Sequence, residues 1–274
     1  MRILLAVLIA VSVFHGADSA LAADLPAQTY TKAPVVAPPV YNWTGFYIGG
    51  EVGGRWSDST WRTDALLTPN GPIGNRTGDI PAGFDSSSVR AGGYVGYNWQ
   101  VSPAFVLGIE GDAAWGDNNK SRLGIPGTWS PGTPLAFLQP DSSSVSLGWD
   151  AAVRARLGWL VAPNVMLFAA GGAAWQDVTV GASCQNTGSW CSIARNVSFN
   201  TTKSGWTVGG GVEAKVWTNW LARVEYRYSD FGSTAYAFFP STIDAVYMHH
   251  DLKTQIVSFG LAYQFGGGPV VAKY

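Results

Sequence analysis

The chain has 274 residues, of which 47% are hydrophobic and only 13% charged, and its formal net charge at pH 7 is −1. Soluble domains usually carry about 25% charged residues, so the composition is unusual for a protein that faces water on all sides. No basic patch is present, which excludes an electrostatic binder of nucleic acid.

The first 22 residues have the three parts of a secretory signal peptide. Arg2 precedes an apolar run over residues 3–14, and Ala20-Leu21-Ala22 supplies a small-residue cleavage site. The run is shorter than the roughly 18 apolar residues that a membrane helix requires, and no later segment reaches that length. We therefore expect export and cleavage after Ala22, rather than a retained anchor helix.

Residues 23–42 form a Pro-rich segment, which favours an extended and unpaired backbone in the periplasm. From Trp43 onward, apolar and polar residues alternate with the period of two that is typical of β-strands. Six stretches alternate cleanly: 43–56, 89–100, 104–116, 146–161, 204–216 and 220–231.

Two further stretches are less regular. Residues 165–175 are apolar on both faces, so the pattern does not decide which face points inward. Residues 253–265 carry Lys253 and Gln255 on the apolar face near their start. Together with the six clean stretches, they make eight predicted strands.

The connections between the predicted strands alternate in length. Short turns at 101–103, 162–164 and 217–219 alternate with long polar stretches at 57–88, 117–145, 177–203 and 232–252. Short periplasmic turns and long extracellular loops are typical of outer-membrane barrels. The sequence therefore predicts an all-β fold: a single eight-stranded, antiparallel, up-and-down transmembrane β-barrel over residues 43–265, followed by a C-terminal extension over 266–274.

Thirteen charged residues share the polar faces of the predicted strands. A basic side chain that points into lipid near the midplane costs roughly 2–4 kcal/mol, so these residues are expected to point into the barrel. We predict a lumen charge network made of Glu51, Arg55, Arg90, Glu110, Asp112, Asp150, Arg154, Arg156, Glu213, Lys215, Arg223, Glu225 and Arg227.

Most tryptophans lie near the predicted strand ends, where aromatic girdles meet the two membrane interfaces. A soluble barrel such as a lipocalin has the same alternation with the environments of the two faces exchanged. The signal peptide, the tryptophan positions and the loop asymmetry together favour the membrane barrel. The predicted girdle residues are Trp43, Trp56, Trp99, Trp115, Trp149, Trp159, Trp175, Trp206, Trp217 and Trp220, whereas Trp61, Trp129 and Trp190 fall in predicted loops.

The two cysteines, Cys184 and Cys191, lie close together in one polar stretch. In an oxidising compartment such a pair favours a local disulfide over two free thiols. A metal site is disfavoured because the histidines of the mature chain, His249 and His250, are distant in sequence. No metal or cofactor is predicted.

Three segments resemble the outer-membrane immunogenic proteins of alphaproteobacteria, which belong with the opacity-like outer-membrane β-barrel proteins. They are the start at residues 23–26 (Ala-Asp-Leu-Pro), the opening at 43–50 (Trp-Thr-Gly-Phe-Tyr-Ile-Gly-Gly) and the end at 259–265 (Phe-Gly-Leu-Ala-Tyr-Gln-Phe). The resemblance covers essentially the whole mature chain. It implies eight strands, surface-exposed loops and assembly by the outer-membrane insertion machinery. That machinery reads an aromatic last strand ending in Phe, which Phe265 supplies unless Tyr274 takes its place. The family has no established catalytic residues, so none are assigned.

The expected function is therefore non-enzymatic: an outer-membrane protein that contributes to membrane integrity, or acts as a surface antigen or adhesin through its loops. Its expected partners are outer-membrane lipid and lipopolysaccharide, the insertion machinery, and a host or surface ligand at the loops. The alternatives are a small porin and a ligand-binding surface protein, with haem held by His249 and His250 as one case. An outer-membrane enzyme that pairs one of these histidines with a loop serine is a fourth reading.

Overall fold

The computed structural model describes residues 41–68, 71–74, 82–127, 141–185, 193–240 and 244–266, all within the second of two units of the chain, Pro39–Tyr274. The predicted signal peptide, almost all of the Pro-rich segment and residues 267–274 lie outside these ranges. No helix within the described ranges is long and apolar enough to cross a bilayer. The described residues form eleven strands: β1 (Gly45–Thr68), β2 (Gly71–Gly74), β3 (Ala82–Gly83), β4 (Ser86–Gln100), β5 (Phe105–Gly116), β6 (Asn118–Leu123), β7 (Ser142–Ala162), β8 (Val165–Cys184), β9 (Arg195–Lys215), β10 (Trp220–Phe238) and β11 (Val246–Gln264).

Eight of these strands close into a ring. Each of β1, β4, β5, β7, β8, β9, β10 and β11 pairs antiparallel with the next, and β11 pairs with β1 over Tyr47–Leu66. This arrangement confirms the predicted eight-stranded up-and-down barrel. The short strands β2 and β3 pair with β1, and β6 pairs with β7. Below, the turn end is the end with the three short turns, and the loop end is the opposite one.

Most of the strands are longer than the alternation predicted. β1 continues to Thr68, β8 reaches Cys184 and β11 begins at Val246, so large parts of the four predicted loops are strand. A transmembrane β-strand needs only about 9–11 residues. Because most of the eight strands have 19 to 24 residues, the barrel wall continues well beyond one bilayer at its loop end.

Bulges in β7 and β10 account for part of this difference. In β7 the register shifts between Leu147 and Asp150, so odd-numbered residues point inward before the shift and even-numbered ones after it. β10 has a similar shift between Asp230 and Ser233, where Gly232 has a φ of 61°. A bulge adds an unpaired residue and bends the strand, and it also breaks the period of two from which a strand is recognised.

The structure also settles the face that each irregular strand turns inward. In β8 the even-numbered Met166 and Phe168 are buried, whereas Leu167 is 39% exposed on the outer wall. Lys253 and Gln255 point outward from β11, at the loop-end side of its apolar residues. The outer wall is therefore apolar around the turn-end half and polar beyond it.

Candidate functional site

The interior of the turn-end half holds all thirteen of the charged residues assigned to the lumen, and none is more than 7% exposed. Twelve of them form one connected set of ion pairs, in which six arginines balance six carboxylates. The members of this set, called the charge network below, are Arg55, Arg90, Arg154, Arg156, Arg223, Arg227, Glu51, Glu110, Asp112, Asp150, Glu213 and Glu225.

Arg154 lies at the centre of the charge network. Its Nη2 lies 2.7 Å from Glu110 Oε1 and 3.3 Å from Asp112 Oδ1, and its Nη1 pairs with Glu225. Glu110 lies directly opposite Arg154 on the neighbouring strand, while Glu225 belongs to β10 on another part of the wall. The guanidinium therefore links separate parts of the barrel wall through the lumen.

A second centre is the Asp150 carboxylate. It accepts hydrogen bonds from Arg55 at 3.0 Å, Arg90 at 2.8 Å and Arg227 at 2.9 Å. Arg55 also donates to the carbonyls of Gly116 and Leu147. Such saturation with partners offsets the cost of burying charge, which is several kcal/mol for each unpaired ion.

Lys215, the thirteenth residue, makes different contacts. Its Nζ donates to the Asn42 carbonyl at 2.7 Å and lies 5.4 Å from the centre of the Trp43 ring. It therefore belongs to the turn-end closure of the barrel, not to the charge network.

Trp43 does not lie in a girdle, contrary to the prediction, because it is fully buried inside the turn end. Its Nε1 donates to the Pro163 carbonyl at 3.1 Å, and its own carbonyl accepts from Gln264 Nε2 at 2.8 Å. These bonds draw the chain before β1 across the mouth of the barrel. The turn-end cluster contains Trp43, Tyr47, Tyr94, Val106, Met166, Phe168, Ala170, Leu221 and Ala262.

A larger apolar cluster fills the loop end. Trp61, assigned to a loop by its sequence position, is instead a buried residue of β1 and stacks on Phe238 with ring centres 5.3 Å apart. Sequence reasoning missed this cluster, although the alternation at Val178, Val180 and Ala182 was a signal for it. The loop-end cluster contains Trp61, Leu66, Ala82, Phe84, Ile125, Val145, Leu147, Ala152, Ala174, Val178, Val180, Ala182, Cys184, Phe231, Tyr236, Phe238, Phe239, Val246, Met248 and Leu252.

The remaining tryptophans assigned to the girdles lie on the outer wall. Trp149 and Trp175 are half-buried, and the other seven are 39% to 67% exposed. Near the turn end lie Trp99, Trp159, Trp217 and Trp220, and at the level of the bulges lie Trp56, Trp115, Trp149, Trp175 and Trp206. Trp129 and Trp190 lie outside the described residues.

His249 and His250, the two histidines of the described residues, point to opposite sides of β11. His250 is fully buried, and its Nε2 lies 2.8 Å from Ser59 Oγ, whereas His249 is partly exposed and pairs with Asp64. Neighbouring residues on a strand face opposite sides of the sheet, so this backbone does not bring both rings to one haem iron. Burial and the nearby Lys203 ammonium lower the pKa of His250 to about 3.

Ser59 and His250 have the spacing of a nucleophile and its base. However, His250 Nδ1 has no hydrogen-bond partner among the described residues, so no carboxylate there orients the ring. Both side chains are fully buried, which keeps a substrate away from the pair. No group of three or more possible metal ligands lies together in the described part of the chain.

Two other predicted features lie at the limits of the described residues. Cys184 is buried and disulfide-bonded, but its expected partner Cys191 lies outside those residues, so the pairing stays a prediction. Phe265 is 49% exposed on the turn-end rim and packs edge-on against Tyr263 with ring centres 5.1 Å apart. Tyr274, the alternative terminal signal, lies beyond the described part of the chain.

Comparison with known proteins agrees with this architecture. The family described as "Outer membrane protein beta-barrel domain" matches residues 6–265. The 31 kDa outer-membrane immunogenic protein of Brucella melitensis is 30% identical over 91% of this chain and 95% of its own length. The 22 kDa outer membrane protein of Rhizobium leguminosarum is 30% identical over 82% of this chain and 81% of its own.

Among solved structures, the outer membrane protein OprG from Pseudomonas aeruginosa aligns over 81% of this chain and 98% of its own, with a TM-score of 0.43 and 7% identity. That likeness is too low to support an argument about function. The assignment depends instead on the family match and on the two relatives, which confirm the resemblance noted in the sequence. This chain belongs to the outer membrane protein β-barrel family and is a protein of the bacterial outer membrane.

Proposed function

We propose that the protein is a non-enzymatic structural and surface-interaction protein of the outer membrane, whose barrel is closed to ions and solutes. The observation that carries this proposal is the filled interior. The charge network occupies the lumen between the turn-end and loop-end clusters, and all three layers are made of buried side chains.

Electrostatics supports a closed barrel over a porin. An eight-stranded barrel is just wide enough for its own side chains. Each arginine of the charge network already has one or more carboxylate partners, so a passing ion would have to compete with bonds such as the 2.7 Å pair between Arg90 and Glu51. The lumen therefore offers cross-links between strands rather than a charged passage.

The surface role is supported by the length of the wall. Beyond the bulges, the strands continue around the loop-end cluster. There the interior is apolar and the outer wall is polar, as in a soluble protein. A rigid platform of this kind can present loops for recognition outside the cell. Membrane integrity, recognition by antibodies and adhesion are all consistent with such a platform.

Planar-bilayer recording of the purified, refolded protein tests the closed barrel. We expect no reproducible conductance steps from the wild-type protein. A variant that carries both Arg90→Ala and Arg154→Ala removes two central guanidinium groups and serves as the positive comparison, provided that it migrates as a folded barrel on an unheated gel. Stable unitary steps from the wild type would contradict the proposal and favour the porin.

Exposure of the platform is tested on intact cells of the native host. Antibodies raised against the purified barrel should label unpermeabilised cells, and deletion of the gene should increase sensitivity to detergent if the protein supports the membrane. Labelling only after permeabilisation would contradict the surface role.

A further inference from the structure

The turn between β9 and β10 contributes to a cleft walled by aromatic rings at the turn-end rim. Trp217, Thr218, Asn219, Trp220 and Tyr263 line this cleft, which is open to the outside and has a volume of about 610 Å³. In the described part of the chain these three rings are open to a ligand: Trp217 is 67%, Trp220 39% and Tyr263 37% exposed. The cleft lies on the outer wall and is separate from the charge network.

Neighbouring contacts hold the walls of the cleft in place. Trp220 and Tyr263 pack edge to face with ring centres 5.6 Å apart and planes at 80°. Asn219 Nδ2 donates to the Gln264 carbonyl at 2.9 Å and lies 3.3 Å from the Tyr263 hydroxyl. The turn is thereby tied to β11, and the rings of Trp220 and Tyr263 have a defined arrangement before any ligand binds.

Charge at this rim is nearly absent. Within the described residues of the three turns and the strand ends beside them, the one charged side chain is Lys215, which is buried inside the barrel. Among the described residues, an anionic lipid headgroup would therefore meet no cationic side chain on this outer surface. A headgroup with no net charge, carrying a positive group that aromatic faces attract, is electrostatically matched to it.

We infer that this cleft binds the quaternary ammonium of a phosphatidylcholine-type lipid in the periplasmic leaflet. Quaternary ammonium groups cannot donate hydrogen bonds and are typically recognised by aromatic faces through cation–π attraction. The position at the membrane interface places the cleft at headgroup level. The Thr218 hydroxyl lines the cleft and would donate a hydrogen bond to the adjacent phosphate. The acyl chains would lie along the apolar outer wall of β10 and β11, which includes Val224 and Phe259.

Native mass spectrometry of the full-length protein in a neutral maltoside detergent tests this inference. The protein is incubated with an equimolar mixture of phosphatidylcholine, phosphatidylethanolamine and phosphatidylglycerol, and the retained lipids are counted. We expect the wild type to retain phosphatidylcholine about five- to tenfold over phosphatidylglycerol, as a few cation–π contacts would provide. Trp217→Leu, a change in an exposed turn, should bring this ratio close to one.

Trp159→Leu is the matched control, because Trp159 is a turn-end tryptophan on another strand and is 53% exposed. It should keep the wild-type preference, and all proteins must first migrate as folded barrels on unheated gels. The inference is overturned if the wild type shows no preference, if it retains phosphatidylethanolamine as well as phosphatidylcholine, or if Trp217→Leu and Trp159→Leu lower the ratio equally.

Discussion

Single charged residues in the lumen act as cross-links, and Arg154 is the clearest example. It contacts carboxylates from two different strands of the wall, Glu110 and Asp112 on β5 and Glu225 on β10. Removing one partner from a buried ion pair leaves an uncompensated charge, which typically costs about 3–5 kcal/mol. The stability of the barrel therefore depends on individual buried side chains as well as on the backbone hydrogen bonds between its long strands.

We expect Arg154→Ala to lower the free energy of unfolding by about 3–5 kcal/mol, since three carboxylates would lose a buried partner. Urea unfolding in lipid vesicles, followed by tryptophan fluorescence, measures the change. Arg62→Ala is the control, because the Arg62 side chain is 49% exposed and its ion pair is with Asp64 on the surface; its effect should stay below about 1 kcal/mol. Equal losses in the two variants would count against a packed lumen.

His250 gives the loop-end cluster a dependence on pH. Burial, followed by the nearby Lys203 ammonium, lowers the pKa of His250 from 6.5 to about 3 in the folded protein. As the pH falls from about 6.5 toward 3, the unfolded chain binds a proton at this residue and the folded chain does not. Its contribution to stability is therefore full above pH 6.5 and is lost progressively below it, by about 1.4 kcal/mol for each pH unit.

A comparison with His250→Gln isolates this contribution, because glutamine can still bond to Ser59 but does not titrate. Between pH 7 and pH 4, the wild type should lose stability more steeply than the variant by the amount given above. Thermal unfolding in detergent at a series of pH values measures both slopes. Parallel slopes would show that His250 is protonated equally readily in the folded and unfolded chains.

Strand β7 passes through two environments, an apolar outer wall on one side of its bulge and a polar outer wall on the other. The part of β7 beyond its bulge carries outward residues such as Val153, which is 48% exposed on the apolar wall. Before the bulge, Ser146 points outward among polar neighbours, opposite Thr179 and Asn119. The bulge therefore marks the level at which the outer wall changes from apolar to polar.

This change of environment predicts effects of very different size for a lysine at two outward positions of β7. Val153→Lys should destabilise the folded barrel by roughly 2–4 kcal/mol because the ammonium would face lipid near the midplane. Ser146→Lys should have an effect of less than about 0.5 kcal/mol, as is usual for surface substitutions. The folded fraction of each variant in lipid vesicles, measured at a series of increasing urea concentrations, compares the two. A similar loss from both would mean that the bulge does not mark the membrane boundary.

For the whole molecule, we expect the turn-end half to lie in the bilayer and the loop-end half to stand outside it. Spin labels at Ile48 and Leu107 should be reached by oxygen, which concentrates in hydrocarbon, while a label at Thr179 should be reached by a water-soluble nickel complex. Power-saturation spectroscopy of the reconstituted protein measures both accessibilities. Contact of the Ile48 and Leu107 labels with the nickel complex would rule out this placement.

Alternation and compartment were readable from the chain alone. The period of two, the short and long connections and the charged faces predicted eight strands and the residues that point inward, since these properties depend on neighbours along the chain. The pattern failed at the bulges of β7 and β10, where an extra residue reverses the phase. It also ended early on β1, β8, β9 and β11, because the apolar face changes from the outside to the inside of the barrel at the loop end.

The sequence by itself therefore determined the class of barrel and which face of most strands avoids lipid. The physical reason is that a charged side chain facing lipid is too costly, so the charged face must point into the barrel. The tertiary structure alone decided which charges pair, since partners such as Glu51 and Arg223 are 172 residues apart and meet only when the ring closes. It also decided that Trp43 closes the turn end and that an apolar core fills the loop end. In both cases, the volume inside the closed barrel determines which side chains are buried there, and this volume depends on ring closure and not on the local sequence pattern.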